Sequence, residues 1–250
     1  MDRAYWEKTA GNYAADIFSV LGNDSRTRIV ELISHLAAPQ QVAADFGCGP
    51  GQLISLLSEH FSEIHACDWS PALLQEAAKK SAESSHVSFH EFDLSGEAPP
   101  PFAPVDLGLC INALIGPDVE ERQRIWHTVT DLIAASGKLL LVVPSHESAL
   151  FTSYRRLDWN LRAGLDGKDA ETQSHESDEN ASAREQGVRP IDGVPTKHFL
   201  KEELEVQFRD LGFENLEFEK LPYPWTTEFD DPPEWMAEPN PWHWLVVASR

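Results

Sequence analysis

Seven consecutive residues, Asp45-Phe46-Gly47-Cys48-Gly49-Pro50-Gly51, set a carboxylate beside three evenly spaced glycines. Glycines in such a run let the backbone turn tightly and let a ligand approach the main chain. A second carboxylate, Asp68, follows 23 residues after Asp45, and a third, Asp93, lies beyond it. An acidic residue about 20 residues past a glycine turn is placed to accept hydrogen bonds from ribose hydroxyls. By itself the turn also suits a structural strand-to-helix corner or a nicotinamide-dinucleotide site.

The elements that must position these residues follow from periodicity. Short apolar runs at 41–46, 64–67, 87–92, 105–112 and 138–143 read as buried strands. Helical spacing fills 53–61, 71–81 and 119–135 between them. Strands alternating with helices imply a parallel sheet covered on both faces. Asp45, Asp68 and Asp93 then gather at the carboxyl edge of that sheet, where open α/β folds bind ligands. Residues 5–36 read as helices with a break at Gly22-Asn23-Asp24. The rhythm changes after Pro144, with a helix over 148–165, a polar stretch over 166–185 expected as a surface loop or partly disordered, a helix over 201–211, and strands over 213–221 and 242–248.

On these residues the chain resembles the class I S-adenosylmethionine-dependent methyltransferases, whose first motif has the form acidic-x-Gly-x-Gly-x-Gly. Asp45 through Gly51 matches it throughout, and the likeness extends well over about 42–143. The resemblance implies an α/β, Rossmann-like three-layer sandwich. Its seven-stranded, mostly parallel sheet would have an antiparallel last strand, N-terminal helices and a cap insert after strand five. It implies S-adenosylmethionine as cofactor and S-adenosylhomocysteine as product. Gly47, Cys48, Gly49 and Gly51 would pass close to the methionine part, with Asp45 near its amino group. Asp68 would accept from both ribose hydroxyls, Trp69 would pack on the adenine, and Asp93 with Leu94 would meet the adenine edge. Asn112 would lie beside the transferring methyl, and Tyr13 would close the site from an N-terminal lid over 1–40. The dinucleotide alternative lacks its Gly-x-Gly-x-x-Gly spacing, and an acidic neighbourhood suits a cationic sulfonium better than a pyrophosphate.

Methyl transfer from a sulfonium is a displacement that the protein assists by alignment and exclusion of water. A base is needed only where the acceptor holds its proton. His146, just after the fifth strand, is the candidate catalytic base, and a solvent-exposed loop histidine is the plain alternative. His198 is a weaker candidate, and His127 and His243 read as structural. Residues 145–195 are expected as an inserted substrate cap in which Tyr154, Arg155, Arg156 and Trp159 meet the acceptor, Arg155 or Arg156 by a bidentate contact to a carboxylate. The tail residues Tyr223, Trp225, Phe229, Trp235, Trp242 and Trp244 would cover the sheet edge or wall an apolar pocket.

Of the 250 residues, 42% are hydrophobic, which supports one continuous core over 1–250 as a single domain. Asp and Glu number 41 against 20 Lys and Arg, a formal charge of −21. That field disfavours nucleic acid and fits a cationic or neutral small molecule better. Three cysteines without metal spacing are expected as buried reduced thiols, no metal site is expected, and no apolar run nears the ~20 residues of a membrane span. The first residues lack a signal-peptide pattern, so a cytoplasmic setting is expected. The sequence thus points to methylation of O, N or S on a small molecule. A protein or peptide substrate, or a non-catalytic S-adenosylmethionine-binding regulator, stands as the alternative.

Overall fold

A computed structural model of the chain describes residues 25–38, 40–81, 84–174, 181–191 and 193–250. The expected lid residue Tyr13, with Tyr5 and Trp6, lies outside the described residues. In chain order the elements are α1 (Ser25–Leu36), β1 (Val42–Phe46), α2 (Ile54–His60), β2 (Glu63–Asp68), α3 (Pro71–Lys80), β3 (Val87–Glu91), β4 (Val105–Ile111), α4 (Val119–Asp131) and β5 (Ile133–Pro144). They continue with α5 (His146–Arg162), α6 (Gly167–Ser174), α7 (Ala181–Glu185), β6 (Val188–Ile191), β7 (Val194–Lys197), α8 (Lys201–Asp210), β8 (Asn215–Pro222) and β9 (Trp242–Ser249).

Among the described residues, seven strands form one sheet in the order β3-β2-β1-β4-β5-β9-β8. The first five are parallel, and β9 runs antiparallel to both β5 and β8. Side chains alternate across the sheet with period two. Leu139, Leu141 and Val143 of β5 and Val246 of β9 face a core closed by Trp126 of α4 and Leu204 and Phe208 of α8. Leu140, Val142, Leu245 and Val247 face the opposite core, closed by Ile29 and Ile33 of α1 and Ile54 and Leu57 of α2. This is the expected three-layer arrangement. No helix of the described residues is long and apolar enough to cross a membrane.

Three boundaries depart from the sequence reading. The helix expected to reach residue 135 stops at Asp131, because the Leu132 carbonyl accepts from the Val105 N–H at 2.8 Å and Ile133 pairs with Val105. Within the expected loop over 166–185 lie α6 and α7. Asp166 caps α6 by accepting from the Lys168 and Asp169 N–H groups, both at 3.0 Å, and Asn160 of α5 donates to the Ala170 carbonyl at 3.3 Å. The sequence reading also had no β6–β7 hairpin, which pairs Val188 with Lys197 and Ile191 with Val194.

Trp126 is fully buried, edge-on to Phe208 at 5.1 Å and Phe199 at 6.5 Å. Trp126→Ala is expected to cost about 3–5 kcal/mol through lost burial and a residual cavity. Urea denaturation should show a lower midpoint at unchanged slope.

Candidate active site

Sheet order reverses between β1 and β4, so the chain leaves these neighbours in opposite lateral directions and their loops part above the carboxyl ends. The glycine turn leaves β1 into this crevice, and Asn112 leaves β4 beside it. Gly47 holds φ at +72° and donates its N–H to the Cys67 carbonyl at 2.9 Å, tying the turn to β2. A Cβ on Gly47 would stand 2.7 Å from the Ala113 Cβ, and one on Gly51 (φ +75°) 2.8 Å from the Ala77 Cβ of α3. Both positions therefore need glycine twice over, for left-handed backbone and for close approach.

The turn is locked to the next acid by hydrogen bonds. Gly49 N–H donates to Asp68 Oδ2 at 3.0 Å, and Ser70 N–H donates to Asp68 Oδ1 at 2.9 Å. Ser70 in turn caps α3, its Oγ accepting from the Leu73 N–H at 3.4 Å. One carboxylate thereby fixes the turn after β1 against the turn after β2. Trp69 is half-buried beside it, and Leu94 is buried. Asp93 sits at the exposed rim, accepting from the Ser95 N–H at 2.9 Å and its hydroxyl at 2.7 Å. Asn112 adopts φ +52°, and its Oδ1 is buried without a hydrogen-bond partner among the described residues.

Asp45 is 3% exposed, and its carboxyl is pushed up to about 7 by burial and then by the charge of Asp68. Burial also raises Asp68, against the opposing hydrogen bonds from the backbone of Ser70, Gly49 and Trp69. The Cys48 thiol, raised by burial and then by both acids, stays protonated and is no nucleophile. The cysteines are free and buried.

A second group of residues meets at the end of β5. Expected on a loop, His146 is instead the buried first residue of α5, whose cap Ser145 accepts from the Ser148 N–H at 3.0 Å. The β6–β7 hairpin is laid across this strand end. Lys197 N–H donates to the Ile115 carbonyl at 2.9 Å, His198 N–H to the Gly187 carbonyl at 2.7 Å, and Phe199 N–H to the Pro144 carbonyl at 2.8 Å. Buried Lys197 bonds Glu203 Oε2 at 2.8 Å and the Gln186 carbonyl at 2.7 Å. Arg122 is buried with Nη1 on the Gly116 carbonyl at 2.7 Å, and Arg189 Nη1 reaches Ser153 Oγ at 3.2 Å. His198 Nδ1 lies 3.0 Å from the Thr196 carbonyl, and the His243 ring lies 4.8 Å from that of Tyr223.

Burial is the first cause that lowers each of these imidazoles. Arg189 and Lys197 add to it at His146; His198 falls to about 4, and His243, next to His198, to about 3. All three are neutral at pH 7. Sequence reading had singled out these histidines separately; nothing in spacings of about 50 residues announces that they meet, or that Arg122, Arg189 and Lys197 join them.

The remaining expected contacts lie elsewhere on α5. Tyr154 is 60% exposed. The Arg155 guanidinium stands 5.6 Å from the Trp225 ring and 5.3 Å from that of Trp235, and Trp159 meets Phe229 edge-on at 5.6 Å. The aromatic tail therefore packs on α5 through these side chains. Among the described residues no group of three or more His, Cys, Asp or Glu is arranged to hold a metal.

The acid pair makes a sign-specific prediction. The ligand-free fold keeps a proton on Asp45 up to about pH 7, while the unfolded chain releases it near 3.8. Stability is therefore lost as pH rises through that window. Asp45→Asn should raise the melting temperature at pH 8 and change it little near pH 4. Equal shifts at both pH values would contradict this account.

Comparison with known proteins places this geometry. Residues 43–137, spanning the glycine turn, the three acids and Asn112, match the family model of a methyltransferase domain. No curated protein matches the chain. Solved structures share the fold across nearly the whole chain. The DhpI-SAM-HEP complex is 17% identical with a TM-score of 0.63, over 99% of this chain and 95% of its own. The N-methyltransferase NodS from Bradyrhizobium japonicum WM9, in complex with S-adenosylhomocysteine, is 12% identical with a TM-score of 0.60, over 97% of both chains. A putative S-adenosylmethionine-dependent methyltransferase from Listeria monocytogenes is 20% identical with a TM-score of 0.60, over 92% of this chain and 99% of its own. The match to a methyltransferase domain thus covers the motif-bearing segment, 43–137, and the solved structures share the seven-stranded fold that carries it.

Proposed function

We propose that the chain transfers the methyl group of S-adenosylmethionine to O, N or S of a small molecule and releases S-adenosylhomocysteine. The observation that carries the cofactor half is the buried pair Asp45 and Asp68, joined by the glycine turn. Two adjacent buried carboxylates disfavour each other's charge, and a cation between the loops relieves both. The unpartnered Oδ1 of Asn112 adds an acceptor at the same crevice. These residues fit the cofactor, and related folds are described in complex with it or its product.

In this reading Gly47, Cys48, Gly49 and Gly51 face the methionine part, and Asp45 meets its ammonium. Asp68 holds the ribose hydroxyls, Trp69, Asp93 and Leu94 surround the adenine, and Asn112 lies beside the methyl. The cofactor supplies a methyl group on positively charged sulfur. This chain's residues orient it, exclude water and bring the acceptor in line. Where the acceptor carries a proton, His146 is the base, since burial keeps it neutral and receptive near pH 7.

Residues 1–250 act as one catalytic unit, with 1–40 as lid, including Tyr13, and 145–195 as substrate cap. Tyr154, Arg155 and Trp159 form the outer wall of that cap. The hairpin over the end of β5 favours a small acceptor, because it covers the crevice from the side where an acceptor would enter. Buried reduced thiols suit a cytoplasmic setting.

Titration calorimetry tests the cofactor half. Asp68→Ala removes a charge-assisted contact of about 1.5–3 kcal/mol, so S-adenosylmethionine affinity should fall about 10- to 100-fold. In the wild type, affinity should weaken as pH falls through about 7, where Asp45 gains a proton. The neutral product should follow pH less steeply. Incubation with methyl-labelled cofactor and a metabolite mixture tests the acceptor half. Label in a small product supports the proposal, label in protein moves it to a peptide substrate, and tight binding without turnover marks a regulator.

A further inference from the structure

Around the ring of Phe151 on α5, three buried polar atoms have no hydrogen-bond partner among the described residues: Thr152 Oγ1, Arg155 Nε and Trp242 Nε1. Thr152 and Arg155 continue the helix face that starts at Ser148, four and seven residues further on. Ser148 Oγ accepts from the Trp242 N–H at 2.7 Å and so fixes the start of β9 against α5. The Phe151 ring stands 6.1 Å from that of Trp242 and 5.6 Å from that of Trp225, with the Arg155 guanidinium 6.0 Å away. Trp242 opens β9 beside the end of β5, because its neighbour His243 pairs with Pro144. The cluster therefore belongs to the carboxyl edge of the sheet, on the β9 side, apart from the acid pair on β1 and β2.

Folded proteins pair nearly all buried polar groups, so orphans gathered around one ring mark a missing partner. Their chemistry states what that partner must offer. Indole Nε1–H and guanidinium Nε–H can only donate, and the Thr152 hydroxyl can donate as well. A water is a poor filler, since it must place two hydrogens of its own and, of the three orphans, only the Thr152 oxygen can accept one. A ligand oxygen with free lone pairs and no hydrogen suits each of them. Net charge does not set the choice. Arg155 and Lys220, whose ammonium stands 3.6 Å from the Trp242 ring, are opposed by Glu228, which accepts from the Tyr223 hydroxyl at 2.7 Å. The rings of Phe151, Trp225 and Trp242 set the shape, because flat aromatic groups gain most from packing on such surfaces.

Resting on the methyltransferase reading above, we infer that the acceptor is a flat aromatic molecule bearing a carbonyl or carboxyl oxygen, seated against Phe151 and held by Trp242 Nε1, Thr152 Oγ1 and Arg155 Nε. α5 then serves the acceptor twice. Its first residue, His146, stands at the end of β5, and its next two turns read the ring and its oxygen. Lone pairs rather than charge choose the ligand. A neutral amide and a carboxylate are both accepted, whereas an ammonium in the same place brings more hydrogens to a cluster of donors and is refused.

Titration calorimetry on the full chain saturated with S-adenosylhomocysteine tests this, with benzoate, benzamide, cyclohexanecarboxylate and benzylamine as probes at fixed ionic strength. Saturable binding of benzoate and benzamide is expected, with cyclohexanecarboxylate weaker and benzylamine unbound. Trp242→Phe keeps an aromatic ring without its N–H, and Thr152→Val keeps the shape without the hydroxyl. Each should weaken benzamide about threefold to tenfold. Ligand-free Thr152→Val should melt no lower than wild type, since it removes a buried group that has no partner. Arg209→Gln, at an exposed position of α8, should change neither quantity, and all three variants should keep wild-type affinity for S-adenosylhomocysteine. Failure of benzoate and benzamide to bind the loaded wild-type chain would overturn the inference while leaving the cofactor reading intact. So would preferential binding of benzylamine, equally tight binding of cyclohexanecarboxylate, unchanged affinity in both variants, or a lower melting temperature for Thr152→Val, which would show its hydroxyl already paired. Loss of S-adenosylhomocysteine binding in the wild type would instead overturn the cofactor reading, and the inference with it.

Discussion

Two like charges buried next to each other govern this molecule. Asp45 and Asp68 end adjacent strands, and burial alone disfavours their ionisation. The fold keeps them there because Asp68 is needed as a clasp: its two oxygens take the Gly49 and Ser70 N–H groups and so fix the glycine turn against the start of α3. The ligand-free site is therefore in electrostatic tension, and a bound cation is its natural complement. Stability given up at such a site is recovered as binding selectivity.

Topology explains why the tension sits where it does. The chain builds β1, β2 and β3 to one side, then returns to place β4 and β5 on the other. The loops after β1 and β4 consequently diverge, and the crevice between them is a product of strand order rather than of any single residue. The left-handed glycines let β1 enter that gap without steric conflict with Ala113 and Ala77. Antiparallel β9 then seals the far side of β5 and brings His243 back to the same edge.

The segment after β5 is held through polar anchoring more than through apolar burial. The Lys197 and Phe199 N–H groups tie its hairpin to the Ile115 carbonyl after β4 and the Pro144 carbonyl at the end of β5, and the Lys197–Glu203 pair ties it to α8. The aromatic tail closes the opposite side of α5, where Arg155, Trp159, Trp225 and Phe229 stack together. α5 is thus held between a charged layer and an aromatic layer, which positions His146 at its first turn.

Periodicity and motif spacing determined much of this protein from sequence alone. The five parallel strands, their helices and the acid–glycine unit were legible because each rests on local repetition or on residues close in the chain, whereas the antiparallel direction of the last strand was implied by the family resemblance. What local pattern could not carry was missed. α6 buries the small residues Ala170 and Ser174 and so left no hydrophobic signal, and the β6–β7 hairpin carries Pro190 and Pro195, which read against a strand. The end of α4 was set by strand pairing at Val105, a contact from elsewhere in the chain. The meeting of His146, His198, His243, Arg122, Arg189 and Lys197 was decided by tertiary structure alone. These residues come from different elements, and their protonation and field depend on burial and on neighbours distant in sequence, which linear order does not encode.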